Sequence, residues 1–349
     1  MKICVIGAFG FDMLDKTTGG QPVKTRQLYH TLVDRYGKDC VTYIETYGWR
    51  SHPIRMLRNV LRESKKCDAV IMLPAHHGVQ IFARLLNYCK KRTGVKIYYD
   101  VIGGWLPEKT KKDARLAKLL KRFDGIWVET RKMKNDLASQ GFKNITVVPN
   151  FRKMKILRAD ELIYPQGYPL KACTFSRVMK EKGIETAVDA VNRLNKDLGY
   201  TAFSLDIYGP IENADKEWFE TVKAKFNEQI SYKGVVDPSE SYTVLQKYFC
   251  LLFPTHFYTE GVPGTIVDAY AAGLPVISAK WSNFSDVVDE GITGLGYAFD
   301  NIEAFYSLLT KVAKSPKIML DMKCNCLIKA QEFHSDNAVN IISENLCGV

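Results

Sequence analysis

The chain has 349 residues, 46% of them hydrophobic and 25% charged. That mix excludes disordered, collagen-like and low-complexity classes, and the length suits two domains better than one core. No apolar run approaches the roughly 20 residues that cross a bilayer, and Ile3–Gly7 reads as a buried first strand, not a signal peptide. Residues 1–155 hold 31 Lys and Arg against 13 Asp and Glu, whereas 156–349 hold 18 against 25. A basic first half suits a polyanionic partner: nucleic acid, an anionic membrane or a phosphate-bearing acceptor. Nine cysteines without a Cys-x-x-Cys pair, several inside apolar runs, indicate reduced thiols in a cytoplasmic protein.

In chain order, Ile3–Ala8, Val41–Glu45, Ala69–Leu73, Lys96–Val101, Gly125–Val128 and Thr146–Val148 read as strands. Helical patterns lie between them at 22–36, 53–65, 78–92, 108–122 and 131–140. Strand and helix in alternation predict a parallel sheet covered on both faces. Apolar periodicity fades over 156–170, where Pro165, Gly167 and Pro169 mark a linker. A second series follows, with strands Lys171–Phe175, Ser204–Tyr208, Ile230–Tyr232, Cys250–Phe253 and Pro275–Ser278. A helix carrying Ile184, Ala187, Val188, Val191 and Leu194 on one face opens its helical set, with others near 215–227, 263–272, 303–314 and 318–332. The expected domains are 1–155 and 171–332, the tail 333–349 packing back on the first. Ligands in such sheets bind beyond the carboxyl ends of the strands.

The densest chemistry lies in Thr259-Glu260-Gly261-Val262-Pro263-Gly264-Thr265-Ile266-Val267-Asp268. Pro263 and Gly264 suit a helix start and Gly273 its end. Backbone N–H groups of Gly264, Thr265 and Ile266 at that start suit phosphate or sugar hydroxyls. Glu260 in the loop and Asp268 a turn into the helix could bracket one ligand.

This stretch resembles the Glu-x7-Glu motif of retaining glycosyltransferases with a GT-B fold, family 4 in particular, as does the Ala272-Gly273-Leu274-Pro275-Val276-Ile277 that follows. The resemblance implies an α/β protein of two Rossmann-like doubly wound domains facing a central cleft. It puts Glu260 beside the donor sugar and Asp268, one methylene shorter than the family's Glu, on the nucleotide ribose. Ser176-Arg177-Val178-Met179-Lys180-Glu181-Lys182-Gly183 is similar to the family's Arg-x4-Lys-Gly, which implies Arg177 and Lys182 on the donor diphosphate. Gly19 and Gly20 resemble the glycine pair at the family's first helix, where backbone approaches the diphosphate closely. Gly209 and Val235 fall at strand ends similar to those shaping its nucleotide pocket.

Many relatives carry a His after the fourth strand; here Gly103-Gly104-Trp105-Leu106-Pro107 stands there, similar to a subset of capsule and surface-polysaccharide transferases. Gly103 and Gly104 then offer backbone N–H groups or room for the acceptor. His76 and His77 either border the cleft or are packed or solvated. No Asp-x-Asp occurs, so neither a metal nor another cofactor is expected. Arg55, Arg58, Arg62 and Lys65 beside Ile54, Leu57 and Leu61, and Lys111, Arg115, Lys118 and Arg122 beside Leu116, Leu119 and Phe123, predict basic amphipathic helices. These suit an anionic leaflet or a solvated face, and no nucleic-acid motif accompanies them.

The function expected is retaining transfer of a sugar, UDP-linked, to a glycan or polyprenyl-diphosphate-linked acceptor in surface polysaccharide synthesis. The place expected is the cytoplasm, peripheral at the inner face of the cell membrane. The alternatives are a nucleotide-sugar epimerase and a catalytically silent sugar-nucleotide binder.

Overall fold

The structure is a computed structural model that describes residues 1–11, 20–76 and 78–348. Gly19 and His77 lie outside the described residues. The chain forms two compact units, Met1–Lys153 with His334–Val349, and Met154–Phe333.

In the first unit, β1 (Ile3–Gly7), β2 (Val41–Glu45), β3 (Ala69–Met72), β4 (Lys96–Asp100), β5 (Gly125–Val128) and β6 (Ile145–Val147) form one parallel sheet in the order β2-β1-β3-β4-β5-β6. The central strands are buried along almost their whole length, as a sheet covered on both faces requires. Helices α1 (Gly20–Tyr36), α2 (Pro53–Glu63), α3 (Val79–Thr93), α4 (Leu106–Lys112), α5 (Ala114–Leu120) and α6 (Arg131–Ala138) accompany it. The single helix expected over 108–122 is two. Asp113 leaves the helical region and its carboxylate accepts the Leu116 N–H at 2.9 Å, so it ends α4 and caps α5.

In the second unit, β7 (Leu170–Phe175), β8 (Phe203–Tyr208), β9 (Ile230–Gly234), β10 (Cys250–Phe253), β11 (Val276–Ala279) and β12 (Gly294–Tyr297) form a parallel sheet in the order β12-β11-β10-β7-β8-β9. With it go α7 (Ile184–Leu198), α8 (Lys216–Lys223), α9 (Ser241–Leu245), α10 (Gly264–Ala271), α11 (Phe284–Val287), α12 (Ile302–Lys314), α13 (Lys317–Leu320) and α14 (Lys323–Ala330). Sequence pattern missed β12 because two of its four residues are glycines. Those glycines are required by packing: a Cβ at Gly296 would press on Phe284 and Lys280.

The segment 156–170, expected to be the interdomain linker, belongs to the second unit. Leu157 is buried and donates its N–H to Ala271 O at 3.0 Å, and the Leu162 side chain fills the space a Cβ at Gly273 would take. The chain then returns to the first unit. There α15 (Ser335–Cys347) puts Ala338, Ile342 and Leu346 into the cluster of Leu28, Leu32, Trp127 and Val148. Asn345 fixes its register, accepting from Tyr98 Oη on its carbonyl (3.1 Å) and from Thr146 Oγ1 on its side chain (2.7 Å).

Candidate active site

The second sheet reverses direction between β10 and β7: β8 and β9 extend one side, β11 and β12 the other. Open α/β sheets hold ligands beyond the carboxyl ends of strands at such a point. The loops leaving β7 and β10 meet there. His256 donates its backbone N–H to Glu181 O at 2.8 Å. Gly183, at φ 70°, lies so close to Pro254 that a Cβ would overlap the proline carbonyl.

This join brings Lys182 to Glu260. The ammonium donates to Glu260 Oε1, and both side chains are largely withdrawn from water, at 13% and 16% exposure. The same ammonium lies 5.5 Å from the Phe253 ring centroid and 5.1 Å from that of Phe257, a cation between two π faces and a carboxylate. Asn283 Nδ2 holds the Glu260 carbonyl at 2.6 Å, and Thr255 Oγ1 stands 3.5 Å from its carboxylate. His256 pins the loop from both ring nitrogens, Nδ1 at 2.6 Å from Asp300 Oδ1 and Nε2 at 3.1 Å from Thr186 Oγ1. Sequence reasoning missed Phe253, Thr255, His256, Phe257 and Asn283. None sits in a recognisable pattern, and their roles arise only when the two loops fold together.

Just beyond Glu260, α10 begins at Gly264, with Pro263 as its N-cap. The expected row of free N–H groups is shorter than predicted: Ile266 donates to Pro263 O at 3.0 Å, closing the first turn, and its side chain is buried. Gly264 and Thr265 N–H groups have no partner among the described residues, nor does the Thr265 hydroxyl, which is shut off from water. Asp268 follows one turn on, half-buried.

Arg177 lies in the loop after β7, yet the structure does not bring it to Lys182 and Glu260. Its guanidinium is paired with exposed Glu212 at 2.9 Å. Gly209, at φ 134°, ends β8 so tightly against Ser176 O that no Cβ fits. Its N–H donates to Gly234 O (2.9 Å) and its carbonyl accepts from Tyr232 Oη (2.8 Å), so this glycine is demanded by the strand ends themselves. Val235 follows β9 with its side chain in water, 62% exposed.

In the first unit, Gly103 has φ 78° and Gly104 is buried. His76 is exposed but lays its ring 3.8 Å from that of Trp105, whose Nε1 donates to Ile102 O at 2.8 Å. Gly20 opens α1, and a Cβ there would meet nothing within 4 Å. One turn on, Lys24 is fully buried: its ammonium lies 3.0 Å from Asp100 Oδ1 and from Glu129 Oε1 and donates to Val101 O at 2.9 Å. Burial works against that charge, but the two carboxylates outweigh it and raise the Lys24 pKa. Burial pushes Asp100 up to about 6.

Residues 170–315 match the family model described as glycosyl transferases group 1. The matched stretch lies within the second unit and contains the site above. The chain is 22% identical over 186 residues to the amylovoran biosynthesis glycosyltransferase AmsK of Erwinia amylovora, a match covering 51% of this chain and 44% of that protein. It is 28% identical over 177 residues to the GtfA subunit of the UDP-N-acetylglucosamine–peptide N-acetylglucosaminyltransferase of Streptococcus gordonii, covering 50% and 33%. The chain thus spans less than half the length of the curated relatives it matches. Among solved structures, Anabaena HepE in complex with UDP superposes with a TM-score of 0.77 at 14% identity over 100% of both chains. That likeness shows the fold, the two-domain Rossmann-like architecture named GT-B. No helix among the described residues is long and apolar enough to cross a membrane.

Proposed function

We propose that the chain is a retaining glycosyltransferase that moves a sugar from a UDP-linked donor to a hydroxyl of a growing glycan or lipid-linked acceptor in surface polysaccharide synthesis. The observation that carries this reading is the Lys182–Glu260 pair, held between two aromatic rings at the reversal point of a sheet whose residues match a glycosyltransferase model. The naming of AmsK for polysaccharide biosynthesis and the UDP complex of HepE support the acceptor and donor classes.

In this reading the bond from the anomeric carbon to the β-phosphate oxygen breaks, and one to the acceptor oxygen forms on the same face. The acceptor proton passes to the departing phosphate. Lys182 and the N–H groups of Gly264 and Thr265 stabilise the charge that develops on that phosphate. Arg177 is the second cation, since an exposed pair such as Arg177–Glu212 costs little to break. Glu260 orients the sugar hydroxyls and offsets positive charge at the anomeric carbon; Asp268 takes the ribose. Gly20, Gly209 and Val235 border the donor, and Gly103 and Gly104 the acceptor. Neither metal nor cofactor takes part, and the basic first half works against an anionic membrane surface at the inner face of the cell membrane.

A thermal-shift screen of nucleotide sugars is the direct test, because a ligand that binds only the folded chain raises its melting point. UDP and a UDP-sugar should do so, and anomeric analysis of the product should show retention. Transfer should persist in EDTA; loss in EDTA with rescue by Mn²⁺ overturns the metal-free reading. Formation of an epimeric nucleotide sugar, with no acceptor present, would make the chain an epimerase.

A further inference from the structure

We propose that Cys4 and Cys67 of the first unit are a paired oxidation site, at which hydrogen peroxide converts two thiols to a reversible disulfide, Cys67 reacting first and Cys4 closing the bond. The proposal stands apart from the transferase reading. Cys4 belongs to β1 and is fully buried in the cluster that Met56 and Val60 of α2 help to form. Cys67 lies in the turn between α2 and β3, half-buried, and packs against that same cluster. The turn is held at both ends: Cys67 donates its N–H to Glu63 O at 3.1 Å, and Asp68 and Ala69 donate theirs to Lys2 O at 2.8 and 3.2 Å. Thr42 is the register partner of Cys4 on β2, so the two side chains share one face of the sheet. The Thr42 hydroxyl stands 4.0 Å from Cys67 Sγ. The Cys67 sulfur thus reaches over that face, where the two thiols hydrogen-bond.

Their surroundings divide the roles. A thiolate, not a thiol, attacks an oxidant. The hydrogen bond from Cys4 lowers the Cys67 thiol from 9.0 to about 7, and the same bond together with burial holds the Cys4 proton well above its ordinary range. Glu63 and Asp68 oppose the lowering at Cys67. Both are engaged elsewhere, Glu63 with Arg62 at 3.0 Å and Lys66 at 3.5 Å, and Asp68 with the Lys2 N–H at 2.7 Å. Cys67 is also the one of the two that water and a small oxidant can reach. In the first step its sulfur bonds to a peroxide oxygen, the O–O bond breaks, and the thiol's own proton leaves with the other oxygen as water, giving a sulfenic acid. In the second, the Cys4 sulfur bonds to the Cys67 sulfur, the S–O bond breaks, and the Cys4 proton leaves with that oxygen as a second water. Two thiols lose two electrons, and the peroxide that gains them becomes two waters. The bridge fastens the foot of α2 to a central strand, and a dithiol reductant reverses it by exchange.

The test is mass spectrometry of the full chain after brief exposure to hydrogen peroxide, with remaining thiols blocked by N-ethylmaleimide under denaturing conditions. The product should be lighter by two hydrogen atoms, its peptide map should join Cys4 to Cys67, and dithiothreitol should restore both thiols. Cys67→Ser, a change at a half-buried position, should abolish the bridge and slow oxidation of Cys4 by about tenfold or more. Cys4→Ser should leave Cys67 as a sulfenic acid that dimedone traps. Should Cys4→Ser not fold, the parent chain and Cys67→Ser still decide. Full N-ethylmaleimide labelling of both cysteines after peroxide overturns the proposal. So does a bridge from Cys67 to any other cysteine, or oxidation of Cys67 to the sulfinic acid without a bridge.

Discussion

The ammonium of Lys24 lies between two buried carboxylates, Asp100 and Glu129, at the carboxyl ends of the first sheet. Breaking a buried ionic group by removing one partner leaves uncompensated charge and typically costs about 3–5 kcal/mol. Lys24→Met should cost that much in urea unfolding. Asp100→Asn leaves Lys24 balanced by Glu129 and should cost less than about 1 kcal/mol at pH 7. The pH dependence has a definite sign. Burial lifts the Asp100 carboxyl from an ordinary 3.8 to about 6, so the folded chain holds this proton more tightly than the unfolded one. Its contribution to stability is full below about pH 4 and is lost as pH rises through 6. Asp100→Asn should abolish that decline, read as urea midpoints at pH 4, 5 and 7. At the proposed donor site, Glu260→Ala should reduce turnover by more than about 100-fold while UDP still raises the melting point. Near-normal turnover would remove Glu260 from the mechanism.

At the scale of elements, the site depends on two loops joined through Gly183. Both Gly183 and Gly199 have positive φ, near 70°, but only Gly183 faces a neighbour, the Pro254 carbonyl. Gly199→Ala should cost about 1 kcal/mol through backbone conformation alone, whereas Gly183→Ala adds a steric overlap and should cost about 2–4 kcal/mol. Calorimetric melting of the two variants would show the difference, and UDP-induced stabilisation should suffer only in Gly183→Ala. The same join explains what could be read from sequence. Lys182 and Glu260 stand in stretches of Gly and Pro at a strand-to-helix turn, so their placement was legible. The Arg177–Glu212 pair was not, because Glu212 comes from the loop after a different strand. Ile266 was misjudged for a local reason: whether an N–H at a helix start is free depends on how tightly the first turn closes. On α2 the apolar stripe also divides, Met56 and Val60 entering the core while Ile54 and Leu57 remain 65% and 43% exposed. Periodicity alone does not say which flank of a stripe meets the sheet.

At the scale of the molecule, the basic residues concentrate before residue 156 and the acidic ones after it. If that excess serves a membrane, vesicles with anionic lipid should retain the chain at low salt and release it as ionic strength rises, since each surface cation contributes about 1 kcal/mol that salt screens. Equal retention by neutral and anionic vesicles would remove the membrane from the proposal. Sedimentation of vesicles at 50 and 300 mM salt is sufficient to decide.

The return of α15 to the first unit has a further consequence during synthesis. Ala338, Ile342 and Leu346 cover Leu28 and Leu32, so the piece that completes this core leaves the ribosome after some 180 residues of the other unit. Nascent domains usually mature from the amino end at about 5–20 residues per second. Here the order inverts: the contiguous stretch Met154–Phe333 can settle while the earlier-made sheet still shows bare leucines, and a chaperone has that interval in which to bind them.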